Sequence, residues 1–169
     1  TGLLDMVLTT FVLAGFGALV LDRDRTRRRL AILGESSPRP WTEITVGLGP
    51  RLGLRPWRLL SIALLSLAVS VKWSALWFIA IFMLLSLFWD VSIRRTIGVS
   101  RPWLATLHRS APIVLATSLG LLAFIYLLSW TGWLLSSTGW GRNWANEQEP
   151  SIIPNAFRSL IDYHRQAWN

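Results

Sequence analysis

Residues 59–89 read LLSIALLSLAVSVKWSALWFIAIFMLLSLFW, 31 residues in which Lys72 is the only charge. A helix needs roughly 20 apolar residues to cross about 30 Å of hydrocarbon. The stretch is long for one upright span and just long enough for two short ones. It is therefore either one tilted helix or a hairpin turning at Lys72. The charges on its far side favour the hairpin. Arg94, Arg95, Arg101 and Arg109 follow, and only a second crossing returns them to the cytoplasmic side, where loops collect Lys and Arg. Neither Gly nor Pro marks the turn. Leu59–Val71 is short and must borrow Trp57 and Arg58 as interfacial anchors.

Upstream, Leu3-Leu4-Asp5 leads into an apolar run from Met6 to Leu21. That run ends in Asp22-Arg23-Asp24-Arg25-Thr26-Arg27-Arg28-Arg29, whose five arginines cannot enter a bilayer and mark a cytoplasmic end. Residues 34–58 carry Pro38, Pro40, Pro50 and Pro56, and read as a polar connection. Downstream, residues 110–141 hold no charged side chain. A fourth span is expected from Ala111 to about Trp130, with Pro112 in its first turn and Trp130 and Trp133 in an aromatic belt. Asn155–Trp168 reads as an amphipathic interfacial helix opened by Pro154, with Phe157, Leu160, Ile161, His164 and Trp168 on its apolar stripe and Tyr163 off it.

The expected fold is all-α and polytopic: transmembrane helices over about 3–21, 57–71, 74–89 and 111–131, cytoplasmic loops 22–56 and 90–110, and an extracytoplasmic segment 134–169 carrying the helix 155–168. This places 13 of the 17 basic residues inside and leaves Lys72, Arg142, Arg158 and Arg165 outside. Composition agrees. The chain is 52% hydrophobic and 15% charged, where a soluble domain carries about 25% charge. The net charge of +8 is accounted for by the loops rather than by nucleic acid, since aromatic and basic residues are not interleaved in the arginine cluster. The absence of Cys excludes disulfides and thiolate metal sites. His108 and His164 fall on opposite sides of the expected membrane, so no metal and no cofactor is expected. The chain opens at Thr1 without a signal-peptide pattern and stops at Asn169 inside a helical pattern, as expected of an internal piece of a longer protein.

Four places could carry chemistry. Lys72, beside Trp73, could meet an anionic substrate such as a lipid phosphate at the outer interface, or be a turn lysine that snorkels. Arg142 lies in Gly139-Trp140-Gly141-Arg142-Asn143-Trp144, where a guanidinium can hold phosphate and Trp144 can stack on a sugar or a lipid; an aromatic belt with a solvated Arg is the plainer reading. Tyr163 and His164 could serve a proton or a phosphate, or simply pack at the interface. Asp5 is placed to cap the first helix or to pair with a cation, capping being the ordinary role. Gly47-Leu48-Gly49-Pro50-Arg51-Leu52-Gly53 lacks the Gly-Lys-Ser/Thr of a phosphate loop and reads as a plain loop.

Taken in order, Leu3-Leu4-Asp5, Leu21-Asp22-Arg23-Asp24-Arg25, Ser70-Val71-Lys72-Trp73-Ser74-Ala75-Leu76, Trp89-Asp90, Ser129-Trp130-Thr131-Gly132-Trp133, Gly139-Trp140-Gly141-Arg142-Asn143-Trp144-Ala145 and Arg158-Ser159-Leu160-Ile161-Asp162-Tyr163-His164 resemble the protein O-mannosyltransferase family, in particular its actinobacterial branch. The likeness runs from Leu3 to Trp168. It implies part of a GT-C-type membrane glycosyltransferase that moves mannose, with inversion, from a polyprenyl-phosphate donor to Ser or Thr hydroxyls of secreted proteins on the extracytoplasmic side. It implies Lys72, Arg142, Tyr163 and His164 as donor-side contacts, with Trp73 and Trp144 beside them. It also implies that the catalytic Asp-Glu pair precedes this stretch, so no catalytic residue lies within it. Two other readings stand: a lipid-phosphate transferase of another sugar, such as arabinose, and a non-catalytic transporter or membrane scaffold. For a transporter, Thr117, Ser118 and Gly120 give only a weak polar break at mid-membrane.

Overall fold

The computed structural model describes residues 2–36 and 46–168. Pro38, Arg39 and Pro40, read above as part of a polar connection, lie outside the described residues. All regular structure among the described residues is helical. The chain forms two compact units, Thr1–Tyr126 and Leu127–Asn169.

The first unit contains α1 (Gly2–Ser36), α2 (Pro56–Val71), a 3-10 turn (Trp73–Ala75), α3 (Leu76–Thr96), α4 (Pro102–Arg109) and most of α5 (Ala111–Ser129). Three stretches are long and apolar enough to cross a membrane: Gly2–Leu33, Trp73–Thr96 and Pro102–Ser129. The apolar helix α2 is shorter. Val12 and Leu19 of α1 pack with Ile62, Leu65, Ala68 and Val69 of α2, Ile79 and Met83 of α3, and Val114 of α5. Elsewhere large apolar side chains stay uncovered, among them Ile113, Leu115, Leu119 and Phe124 along α5. An apolar surface of this extent suits lipid rather than water.

Between α2 and α3 the backbone breaks at Lys72, which is extended (φ −156°, ψ 127°), while its N–H still bonds Ala68 O at 3.0 Å. The chain then reverses. Arg58, in the first turn of α2, reaches Asp90, near the end of α3, at 2.8 Å. Such a contact requires the two helices to run antiparallel.

Helix α1 does not stop at Leu21, where a loop was expected, but runs to Ser36. The physical reason is local. Residues 22–33 contain no Gly or Pro, and arginine, leucine and alanine are good helix formers. Charge ends a membrane crossing without ending a helix. At 1.5 Å per residue the 35 residues extend about 50 Å, well beyond the hydrocarbon. In the same way α3 continues past Trp89 to Thr96, and Pro102 opens α4 within the expected loop 90–110.

The second unit holds the last residues of α5, then α6 (Thr131–Leu135), a 3-10 turn (Trp144–Glu147) and α7 (Asn155–Trp168). Helix α5 ends at Ser129, and Thr131–Leu135 is a separate short helix rather than its continuation.

Candidate functional site

Lys72 projects from the α2–α3 turn. Its Nζ lies 3.2 Å from Asp5 Oδ1 in the first turn of α1, and both side chains are more than half exposed (57% and 54%). Asp5 thus pairs with a cation, where helix capping was the ordinary expectation. An ion pair this open contributes little and exchanges readily for another anion. Trp73, next in the chain, donates Nε1–H to the Tyr126 hydroxyl at 2.9 Å, which fixes the turn against α5. Lysine, tryptophan and carboxylate are thereby gathered at one end of the first unit.

In the second unit the candidate residues converge on aromatic rings. Tyr163 lies 5.1 Å from Trp130, 6.3 Å from Trp133 and 5.8 Å from Trp140, measured between ring centroids. His164 lies 5.1 Å from Trp130, and its Nδ1 meets Leu160 O at 2.6 Å. Tyr163, expected off the apolar stripe, is central to this cluster. Ile161, expected on it, is 61% exposed. The reason is that α7 is covered along Leu160 and Tyr163, three residues apart, and not along Phe157 and Ile161. Arg142 is turned inward: Nε and Nη2 donate to Leu134 O at 3.1 and 2.9 Å, and the guanidinium lies 5.8 Å from the Trp133 ring. Its first role is to clamp the turn 136–142 onto α6. Trp144 opens the following 3-10 turn with its ring partly exposed. Ala145 N–H donates to the buried Ser159 hydroxyl at 3.1 Å, tying that turn to α7.

Sequence reasoning missed a largely buried ion cluster. Asp22, Arg55, Arg58 and Asp90 form a four-membered ion cluster. Arg55 binds both carboxylates: Nε donates to Asp22 Oδ1 and Oδ2 at 3.1 and 2.9 Å, Nη2 also pairs with Asp22, and Nη1 donates to Asp90 Oδ1 at 2.7 Å. Arg58 Nη2 donates to both oxygens of Asp90 at 2.8 and 2.9 Å, and Nε stands 3.5 Å from Asp22. Two cations meet two anions, so the cluster is neutral while joining α1, α2 and α3. Burial alone would lower the Arg55 pKa; the hydrogen bonds and charges of Asp22 and Asp90 outweigh it and raise the pKa above the ordinary guanidinium value. A base with a raised folded-state pKa stabilises the fold below its unfolded pKa and loses that contribution only as pH climbs through the folded value. Arg55 therefore supports the fold across all neutral pH.

No family model matches the chain, and no solved structure matches it. Curated relatives do. The polyprenol-phosphate-mannose–protein mannosyltransferase of Mycobacterium tuberculosis is 38% identical over 177 residues, covering 100% of this chain and 32% of the relative. The proteins of the same name from Mycolicibacterium smegmatis and Corynebacterium glutamicum are 37% and 35% identical, covering 100% and 96% of this chain and 31% and 32% of themselves. The chain spans about a third of the length of these relatives. Along its whole length, then, this helical chain is similar to one segment of the actinobacterial polyprenol-phosphate-mannose–protein mannosyltransferases.

Proposed function

We propose that the protein transfers mannose from a polyprenyl-phosphate-mannose donor to Ser or Thr hydroxyls of secreted proteins, and that this chain supplies the donor-phosphate side of the site. The observation that carries the reading is identity of 35–38% over 96–100% of the chain to relatives named polyprenol-phosphate-mannose–protein mannosyltransferases. The hydroxyl oxygen attacks the anomeric carbon opposite the phosphate as its proton passes to the carboxylate base that the resemblance places ahead of this stretch, the sugar–phosphate bond breaks, and the phosphate leaves with the electron pair. A fixed cation beside that phosphate favours the transition state, where its charge grows. Lys72 suits this role. It stands between two apolar helices, where an ionisable residue is costly without a purpose, and its Asp5 partner is exposed and replaceable. The Trp73–Tyr126 hydrogen bond holds its turn. Tyr163, His164 and the tryptophans around them offer aromatic faces for sugar or lipid, with Arg142 as the clamp that shapes them.

In this reading the protein is a multi-pass cell-membrane protein in which α2 crosses as a fourth, short span. The arginine-rich end of α1 and residues 90–110 face the cytoplasm; the Lys72 turn and residues 134–169 face outward. The test uses the full-length protein in membranes, radiolabelled polyprenyl-phosphate-mannose and a Ser/Thr-rich peptide. Lys72→Ala is expected to lower kcat/KM for the donor by about tenfold or more, the worth of one charge-assisted contact, with the peptide KM unchanged. Normal donor kinetics in that variant would remove Lys72 from the site. Absence of mannose transfer by the folded wild type would sink the transferase reading itself.

A further inference from the structure

At the end of α2 remote from Lys72 lies a cavity of about 480 Å³ whose walls include Arg51, Arg55, Arg58, Arg94, Arg109 and His108. Asp22 and Asp90 neutralise Arg55 and Arg58. The other three guanidiniums have no carboxylate within ion-pair distance among the described residues. Arg94 donates to Leu48 O, Pro50 O and Ser110 Oγ at 3.3, 3.2 and 3.3 Å, and Arg109 donates to Gly49 O. Carbonyls and hydroxyls satisfy N–H groups without cancelling charge.

Arg94 is 1% exposed, and its Nε has no hydrogen-bond partner among the described residues. Like charges facing one cavity repel, and burial strengthens the repulsion. The fold nonetheless holds them there, because Arg94 and Arg109 grip the same loop, residues 48–50. Gly49 makes that grip possible. It has φ +65°, and a Cβ on it would stand 2.5 Å from Val99 Cγ2.

We propose that this cavity binds a phosphate group. Arginine forks match phosphate oxygens, and a dianion would balance the surplus of positive charge. The phosphate has two possible sources, an anionic lipid headgroup and a soluble phosphate compound. An apolar groove lined by Leu84, Phe88, Val91, Trp103 and Leu107 lies about one helical turn from Arg94 and Arg109 along α3 and α4, where the tail of such a lipid would run. The site does not depend on the transferase reading.

The experiment follows thermal unfolding of the full-length protein in detergent. It is titrated with inorganic phosphate or pyrophosphate against chloride at equal ionic strength, and in parallel with phosphatidic acid against phosphatidylcholine in mixed micelles. A ligand that binds only the folded form raises Tm with concentration. The wild type is expected to be stabilised by a phosphate ligand. Arg51→Gln, at an exposed loop position with no hydrogen bond or ion pair among the described residues, is expected to need about tenfold more ligand for the same shift. Arg109→Gln should act likewise, and Arg27→Gln, outside the cavity, should match the wild type. Stabilisation by phosphatidic acid alone assigns the headgroup; stabilisation by the soluble anions assigns a free phosphate. If neither raises Tm, or if Arg51→Gln responds as the wild type does, the proposal fails. The first of those outcomes is the one expected if carboxylates from elsewhere in the protein fill the cavity.

Discussion

Asp90 bonds two guanidiniums with one buried carboxylate, and without it the single charge of Asp22 would face both cations. Breaking a buried ion pair by removing one partner leaves an uncompensated charge and costs about 3–5 kcal/mol. Asp90→Asn is expected to lower stability by that order, read as thermal unfolding of the full-length protein in detergent. Asp24→Asn, at an exposed site on α1, should stay within about 0.5 kcal/mol of the wild type. Equal stability of Asp90→Asn and wild type would show that the cluster contributes nothing. This cluster was not legible in the sequence. Arg55 and Arg58 stand 32 to 35 residues from Asp90 and 33 or more from Asp22, and only the helix reversal brings them together. Read alone, they look like two more loop cations obeying the positive-inside pattern, with Arg58 an interfacial anchor. The break between α2 and α3 at Lys72 was legible because the isolation of that residue is itself the signal: one charge within 31 apolar residues. That Asp5 would meet it was not, since the pair is 67 residues apart.

Between elements, the packing of α1 on α2 depends on small residues. A Cβ added at Gly15 would lie 3.0 Å from Leu65 Cγ and 3.4 Å from Ser61 O. Close backbone approach of this kind is how helices associate where lipid supplies no hydrophobic drive. Gly15→Leu should therefore force α1 and α2 apart and lower Tm, while Gly17→Leu, whose position has open space around it, should not. Overpacking at such a contact costs about 1–3 kcal/mol. A Gly15→Leu protein that melts like Gly17→Leu would disprove the contact. The element boundaries show where sequence signals lose force. Apolar runs announced the helices, because hydrocarbon demands them. They did not announce where α1 ends, since helix formation continues through Asp22–Arg29 once the chain leaves the apolar layer. The break at Lys72 came without Gly or Pro. It coincides instead with a charge that needs water and with the β-branched Val69 and Val71, which favour the helix less than leucine or alanine.

For the whole molecule, orientation rests on charge, and the structure sharpens what charge means. Of the cations assigned inward, Arg55 and Arg58 are neutralised by Asp22 and Asp90, so they contribute little to any net field. The arginines of α1 between Arg23 and Arg29 remain on a helix about 50 Å long, and in the proposed orientation they would anchor the inner side. Arginine thus has two uses at this end: ion-paired and buried to join helices, and, in the proposed topology, without a carboxylate partner among the described residues to set direction. The proposed sidedness rests on the second group together with Arg94, Arg95, Arg101 and Arg109. Because this stretch has no cysteine, single substitutions can report it in a full-length protein cleared of any cysteine elsewhere. Ser74→Cys at the Lys72 turn and Ser137→Cys in the second unit are expected to react with a membrane-impermeant maleimide on intact cells. Glu35→Cys, near the end of α1, should react only after permeabilisation. All three positions are exposed, so a failure to label reports the membrane rather than burial. Labelling of Glu35→Cys on intact cells would invert the topology and take the Lys72 turn away from an outward-facing donor. Labelling of Ser137→Cys but not Ser74→Cys would mean that α2 and α3 do not cross as a pair, and Lys72 could then not meet a donor phosphate on the outer side.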